Sequence, residues 1–97
     1  MTKDLRSAED EAIFVLNGGN TATVRTGYTA KLKAGTIGIV LPAPEAKVNV
    51  RPMFVTDGEV VLTVVNEGGV AHWVQPDDVV ATFMAVRTED NRKKTGD

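Results

Sequence analysis

Short runs of apolar and β-branched residues, broken every few positions by glycine, asparagine or proline, extend along most of the chain. Runs of this kind, several of them alternating between apolar and polar positions, are typical of β-strands. They predict strands at residues 12–16, 21–25, 28–32, 36–41, 48–55, 59–66, 70–74 and 79–86. No helical period of useful length is present. So many short strands at close spacing predict an all-β fold, either a sandwich or a closed barrel.

The residues between these runs predict the turns. Glycine and asparagine tolerate a positive φ, so Asn17–Asn20, Ala34-Gly35 and Glu67–Gly69 are predicted as turns. Asp57-Gly58 predicts a hairpin, because this dipeptide favours two-residue turns. Pro52 lies inside the run 48–55 and lacks a backbone donor, which predicts a sheet edge or a bulge there.

The length of 97 residues is enough for one domain, predicted over residues 1–87, followed by a polar tail at 88–97. Apolar residues make up 42% of the chain, as in ordinary globular proteins. A chain of this size buries well under about 70% of its unfolded surface, so its core is thin. We therefore expect association between copies to contribute to stability.

Charge and residue usage exclude several classes of protein. Binding to a nucleic-acid backbone needs a clustered basic face, and the net charge of −2 argues against one. No nucleic-acid partner is therefore expected. The absence of cysteine excludes disulfides and thiolate metal sites. No apolar stretch is long enough to span a membrane, so no membrane partner is expected. Residues 1–11 are charged and lack a signal-peptide core. The sequence thus predicts a cytoplasmic protein, or a virion protein if a phage encodes it.

Several segments together resemble the trimeric dUTPase family. In chain order they are residues 4–10 (Gly-x-Asp-Leu-x-Ala in the family), 24–27 (Val-Pro-Thr-Gly), 32–38 (Leu-Pro-x-Gly-Thr-x-Gly), 58–66 (the strand after the uridine hairpin) and 75–81 (Pro-Gly-Asp-Arg-Ile-Ala). The order and approximate spacing hold over most of the chain. This resemblance implies a dUTPase-like β-barrel or jelly-roll-like subunit that forms a homotrimer, with sites between subunits.

The segments that carry chemistry in the family are altered here. Where the family has an Arg-Ser-Gly phosphate loop, this chain has Ala43-Pro44-Glu45. Two like charges at about 4 Å cost on the order of 4 kcal/mol at an effective dielectric constant of 20, so Glu45 opposes triphosphate binding. The region 54–58 lacks the sugar-packing tyrosine and the arginine, and Thr82 replaces a phosphate-contacting glutamine. The glycine-rich C-terminal arm has no counterpart.

Two acids remain as weak candidates for a dUTPase-like site. Asp57 is a candidate displaced catalytic acid, although its role as the turn residue of an Asp-Gly hairpin explains it better. Asp4 matches a residue that supports the metal indirectly in the family, and it is a candidate for metal binding. One acid without partners is a poor metal site, so neither a catalytic residue nor a metal ligand is predicted.

Other residues are candidates for partner binding. Trp73 is predicted to be a packing residue or a contact with another subunit or protein. His72, the only histidine, is predicted to be a packed or surface residue rather than a catalyst. Arg92, Lys93 and Lys94 form a basic cluster in the polar tail, which is either solvated or a docking arm for an acidic surface.

Three functions remain open at this point. The first is a non-catalytic trimer that acts as a structural or binding module, such as a phage capsid decoration or minor virion protein. The second is a dUTP nucleotidohydrolase that uses displaced residues such as Asp57 and Asp78, which is the one case that requires Mg²⁺. The third is a regulator that binds other proteins, including mixed trimers with a true dUTPase. The altered phosphate segments favour the first and the third, without any cofactor.

Overall fold

The computed structural model describes residues 2–88, and its only regular elements there are β-strands. The strands are β1 (Thr2–Arg6), β2 (Ile13–Val15), β3 (Asn20–Lys31), β4 (Thr36–Pro42), β5 (Asn49–Val50), β6 (Met53–Val55), β7 (Asp57–Asn66), β8 (His72–Val74) and β9 (Val79–Arg87). The predicted all-β class is confirmed. The described residues include no helix long and apolar enough to cross a membrane.

The strands form three antiparallel sheets. One has four strands in the order β1-β9-β4-β6, one has three in the order β3-β7-β5, and one pairs β2 with β8. β9 lies between β1 and β4, so the first and last strands are neighbours. Each of these strands lies in a different sheet from the strand that follows it in sequence, and the chain therefore crosses repeatedly between the sheets.

The core lies between the inward faces of the sheets. On β7, Val60, Leu62 and Val64 alternate inward and are almost fully buried. Phe83 of β9 is completely buried and packs edge-on against Tyr28, with 5.3 Å between ring centroids. Its ring lies over Gly38 of β4, where an added Cβ would overlap the ring. The absence of a side chain at Gly38 thus leaves room for the ring of Phe83, the largest fully buried side chain among the described residues.

The predicted break between residues 25 and 28 is a bulge within one long strand. β3 continues through Gly27, and its register with β7 shifts between Arg25 and Thr29. Gly27 has a φ of 67°, which favours glycine, and the Thr26 hydroxyl donates to the Val60 carbonyl at 2.6 Å. The two predicted strands on either side are therefore halves of a single bulged strand.

Pro52 separates two short strands that the sequence predicted as one. β5 pairs with β7 and β6 pairs with β4, so the two belong to different sheets. Each is the last strand in its sheet, which confirms that the proline marks an edge.

The predicted hairpin at Asp57-Gly58 is wrong. β6 ends at Val55 in the four-stranded sheet, and β7 begins at Asp57 in the three-stranded sheet, so the two strands do not pair. Asp57 lies opposite Lys31 in the ladder between β3 and β7, and Gly58 has a φ of 95°. The positive φ of Gly58 occurs where the chain crosses from one sheet to the other. The sequence pattern of two strands around an Asp-Gly dipeptide is the same for such a crossing and for a hairpin.

β1 was not predicted. Its sequence is polar except for Leu5, which is 1% exposed and packs into the core. One buried side chain in five residues gives no alternation, although the strand pairs along its whole length with β9.

Candidate functional site

A cleft of about 540 Å³ lies between residues 45–48, the strand β8 and the beginning of β9. This volume is in the range of about 300–1,000 Å³ that is usual for ligand sites. Its walls include the ionisable residues Glu45, Lys47, His72 and Asp78, together with Trp73. The cleft is larger than a second cavity of about 300 Å³ beside β1.

The β8 wall places Trp73 on the outside of the molecule. β8 pairs with β2, and Trp73 lies directly opposite Phe14 with 4.7 Å between ring centroids. Both rings remain about half exposed, at 55% for Trp73 and 48% for Phe14. His72 points to the opposite face, where its partner Val15 is buried. The sequence predicted Trp73 as a packing residue or a contact with another subunit or protein, and the structure places it in an exposed aromatic pair with Phe14.

A tight turn fixes the position of Asp78 at the base of the cleft. The Asp78 amide donates to the Gln75 carbonyl at 3.1 Å, and the Asp78 carboxylate accepts from the Gln75 amide at 2.8 Å. Asp77 has a φ of 71°, so the turn has the geometry of type II with Pro76 preceding it. Two backbone hydrogen bonds of 2.9 Å tie the turn to buried Ser7. One oxygen of Asp78 is therefore engaged in the turn itself.

The buried side chain of Asn66 connects β2 to the loop before β8. This residue was not identified from the sequence. Its side-chain amide donates to the carbonyls of Val15 at 3.0 Å and Val70 at 2.9 Å, while its oxygen accepts from the Gly68 amide at 3.1 Å. The side chain is 2% exposed. The signal was an asparagine at the end of an apolar run, which we took only as the last residue of the predicted strand 59–66.

Asp57 and Asp4 are not brought together. Asp57 is exposed at the start of β7 and lines neither the cleft nor the second cavity. Asp4 is exposed on β1 and lines that second cavity, of about 300 Å³, with Arg6 and Tyr28. Among the described residues no group of three His, Cys, Asp or Glu side chains is arranged to hold a metal ion. Arg92, Lys93 and Lys94 lie outside the described residues.

Residues 43–45 form a turn that brings Glu45 to the wall of the cleft. Ala43 is buried, and its carbonyl accepts from the Ala46 amide at 3.1 Å. Pro44 and Glu45 are exposed, and Glu45 faces the cleft. The lining contains no arginine, serine or cysteine, so it offers neither a guanidinium for phosphates nor a side-chain nucleophile of these types. The walls instead present the indole ring of Trp73 and the carboxylates of Glu45 and Asp78.

Comparison with solved structures identifies the fold. The chain superimposes on a mutant dUTPase from phage phi11 of S. aureus with a TM-score of 0.79 and 11% identity, over 92% of this chain and 78% of that one. A mutant dUTPase of Staphylococcus bacteriophage 80alpha gives a TM-score of 0.79 and 10% identity, over 92% and 77%. No protein-family model and no curated protein sequence matches. The resemblance inferred from short segments is therefore confirmed at the level of architecture, and this chain has a dUTPase-like fold.

Proposed function

We propose that this chain is a non-catalytic structural or binding module, which uses a dUTPase-like fold to form a homotrimer. The observation that carries this proposal is the turn at Ala43-Pro44-Glu45. In the resembled family an Arg-Ser-Gly loop there supplies a charge, a hydroxyl and free backbone donors to phosphate. Here Pro44 has no N–H, and Glu45 presents a carboxylate to the cleft. Hydrolysis of a triphosphate requires donors around the phosphates, and this segment opposes it.

The hydrolase alternative requires acids that meet at one site with Mg²⁺. Asp57 lies outside the cleft, and an oxygen of Asp78 already accepts from the Gln75 amide. These positions support the non-catalytic function. The proposed module needs no cofactor, and Mg²⁺ belongs only to the alternative.

Self-association is supported by the outer side of the four-stranded sheet. The register places one set of apolar residues on the side opposite the buried Val40 and Phe83, and we call this set the outer apolar face: Ile37, Ile39, Leu41, Phe54, Met84 and Val86. Phe54 is 71% exposed and Leu41 37%. A solvent-facing side of an antiparallel sheet is normally polar, so this side is suited to burial between copies.

The solved structures supply a biological setting for the proposal. They are phage proteins, and one is reported in work showing that phage dUTPases control the transfer of virulence genes. A dUTPase fold in a phage can thus serve a regulatory purpose. For this chain we propose a protein-binding role in a phage context, either on a virion as a capsid decoration or in the host cytoplasm as a regulator.

Calorimetric titration with a non-hydrolysable dUTP analogue and Mg²⁺ tests the loss of chemistry. We expect no binding heat at micromolar protein and no turnover of dUTP to dUMP by the pure protein. Steady turnover that is abolished by Asp57→Asn, but not by Asp10→Asn as a matched exposed acid, would instead establish the hydrolase.

A further inference from the structure

β8 is an edge strand that borders the cleft. It is hydrogen-bonded to β2 on one side, and no further strand follows it in the described part of this sheet. The cleft touches His72, Trp73 and Val74 in succession. Successive side chains on a strand point to opposite faces, so a cavity that touches three in a row runs along the edge of the strand. The unpaired edge of β8 therefore faces into the cleft.

The ribbon formed by β2 and β8 has an apolar outer side. The register places Phe14 opposite Trp73, and continuing it by one pair places Leu16 opposite Ala71 on the same side. Leu16 is 54% exposed, and nearby Val70 is 67% exposed. Side chains of a strand added beside β8 would continue this aromatic and aliphatic surface. The ribbon is separate from the outer apolar face, which belongs to another sheet.

The charges around the ribbon are mainly negative. Glu45 and Asp78 line the cleft, and exposed Glu11 and Glu67 flank the ends of the ribbon near Ile13 and the loop after β7. Lys47 is the one lysine or arginine among the residues that line the cleft. The negative charges around the cleft therefore favour a partner with basic side chains.

We propose that the edge of β8 binds an extended, basic peptide segment of a partner protein as an added β-strand. Main-chain hydrogen bonds to the open edge hold the segment in the cleft. Its apolar side chains on one side extend the Phe14–Trp73 surface, and its basic side chains on the other point toward Glu45 and Asp78. β8 spans about 10 Å at about 3.3 Å per residue, so a segment of about five residues covers it.

The test uses three fluorescein-labelled, end-blocked pentapeptides with the full chain: Val-Arg-Val-Arg-Val, the same peptide with glutamate for arginine, and Val-Arg-Pro-Arg-Val. We expect the first to bind by fluorescence anisotropy and to shift the emission of Trp73, which is the only tryptophan in the chain. The glutamate peptide should bind at least about tenfold more weakly because its charges are repelled. The proline peptide should also lose about tenfold, since its central residue has no N–H to pair with the edge.

Variants of the chain locate the site. Trp73→Ala should abolish the rise in anisotropy that reports binding of the arginine peptide. Glu45→Lys should weaken binding of the arginine peptide about tenfold and strengthen binding of the glutamate peptide. Phe54→Ala, a matched loss of an exposed aromatic ring on the outer apolar face, should leave binding unchanged. Equal affinity for the arginine and glutamate peptides, or no binding of the arginine peptide below about 1 mM, would overturn the inference.

This inference rests on the proposed binding role and gives it a partner, but the two can fail separately. A chain that hydrolysed dUTP and still bound the arginine peptide at Trp73 would contradict the proposed loss of catalysis only. A chain inert toward dUTP that ignored all three peptides would contradict the edge site only.

Discussion

The side chain of Asn66 donates a hydrogen bond of 3.0 Å to the backbone carbonyl of Val15, joining the end of β7 to the strand that carries Phe14. The same amide group holds Val70, and the amide oxygen holds Gly68. Every polar atom of this buried side chain is thus paired. The loop after β7 and the ribbon of β2 and β8 are held together through one residue.

Asn66→Leu keeps the approximate size of this side chain and removes all three hydrogen bonds. Each unpaired buried group costs about 1–3 kcal/mol, so we expect the free energy of unfolding to fall by about 3 kcal/mol or more. Urea denaturation measures it. Asn17→Ala is the control, because Asn17 is exposed and its bond to Gly69 is 3.4 Å long. A loss in Asn66→Leu no larger than in the control would show that the network contributes little.

The backbone conformation of Asp77 predicts that replacement by glycine destabilises the protein less than replacement by alanine. Its φ of 71° suits glycine, which the resembled family has at this place, and is costly for alanine. We expect Asp77→Ala to lower the free energy of unfolding by about 1 kcal/mol. Asp77→Gly should be about as stable as the parent, because relief of strain offsets the greater freedom of the unfolded chain. Thermal unfolding of the pair decides this, and equal stability of the two variants would contradict it.

Gly38→Ala should be among the most damaging small substitutions in the chain. The new methyl group would overlap the ring of Phe83, which is completely buried in the core. Overpacking of this kind costs about 1–3 kcal/mol. The second substitution Phe83→Leu should recover part of the loss in Gly38→Ala, whereas alone it should destabilise the protein. Additive effects in a double-mutant cycle would contradict direct contact.

The outer apolar face should control assembly. Phe54→Lys places a charge at its most exposed ring, and we expect the proposed homotrimer to dissociate toward a monomer of 10.4 kDa, as measured by light scattering. Phe14→Lys is the matched control on the β2–β8 ribbon and should leave the mass unchanged. If Phe14→Lys dissociated the protein and Phe54→Lys did not, assembly would depend on the β2–β8 ribbon and not on the outer apolar face.

The segment 89–97 should be dispensable for assembly. The cut belongs after Thr88, because its amide and hydroxyl donate to the Gly35 carbonyl at 2.7 and 3.0 Å. We expect a chain ending at residue 88 to keep its oligomeric state and its melting temperature. If Arg92, Lys93 and Lys94 form a docking arm, this truncation should abolish co-sedimentation with a phage capsid. Full binding by the truncated chain would assign attachment to the body of the domain.

The sequence predicted the strands best where one face is buried. β7 and β9 could be predicted because burial of one face imposes a period of two on their sequences. The turn at Gly35 could be predicted because its positive φ favours glycine. β1 was not readable, since Leu5 alone enters the core and the strand depends on its pairing with β9. The hairpin predicted at Asp57 was wrong, because local residues do not specify which sheet a strand joins.

The candidate site was less predictable than the fold. Trp73 was predicted as a packing or contact residue, but its pairing with Phe14 joins two segments far apart in sequence and was not predicted. The same holds for Asn66, whose partners lie on β2 and in the following loop. Such juxtapositions follow from the order of strands in the sheets, and one sequence contains no direct signal of that order.

The central position of β9 has a consequence for how the protein is made. β4 and β6 are synthesised well before β9, yet the strand that joins them to β1 is β9 itself, with Thr2 opposite Met84. A nascent chain therefore cannot complete this sheet on the ribosome until residue 87 has left the exit tunnel. Until then Val40 and Val55 have no complete core to enter. Folding should be a late, cooperative event, and a stalled chain lacking β9 should be a substrate for chaperones.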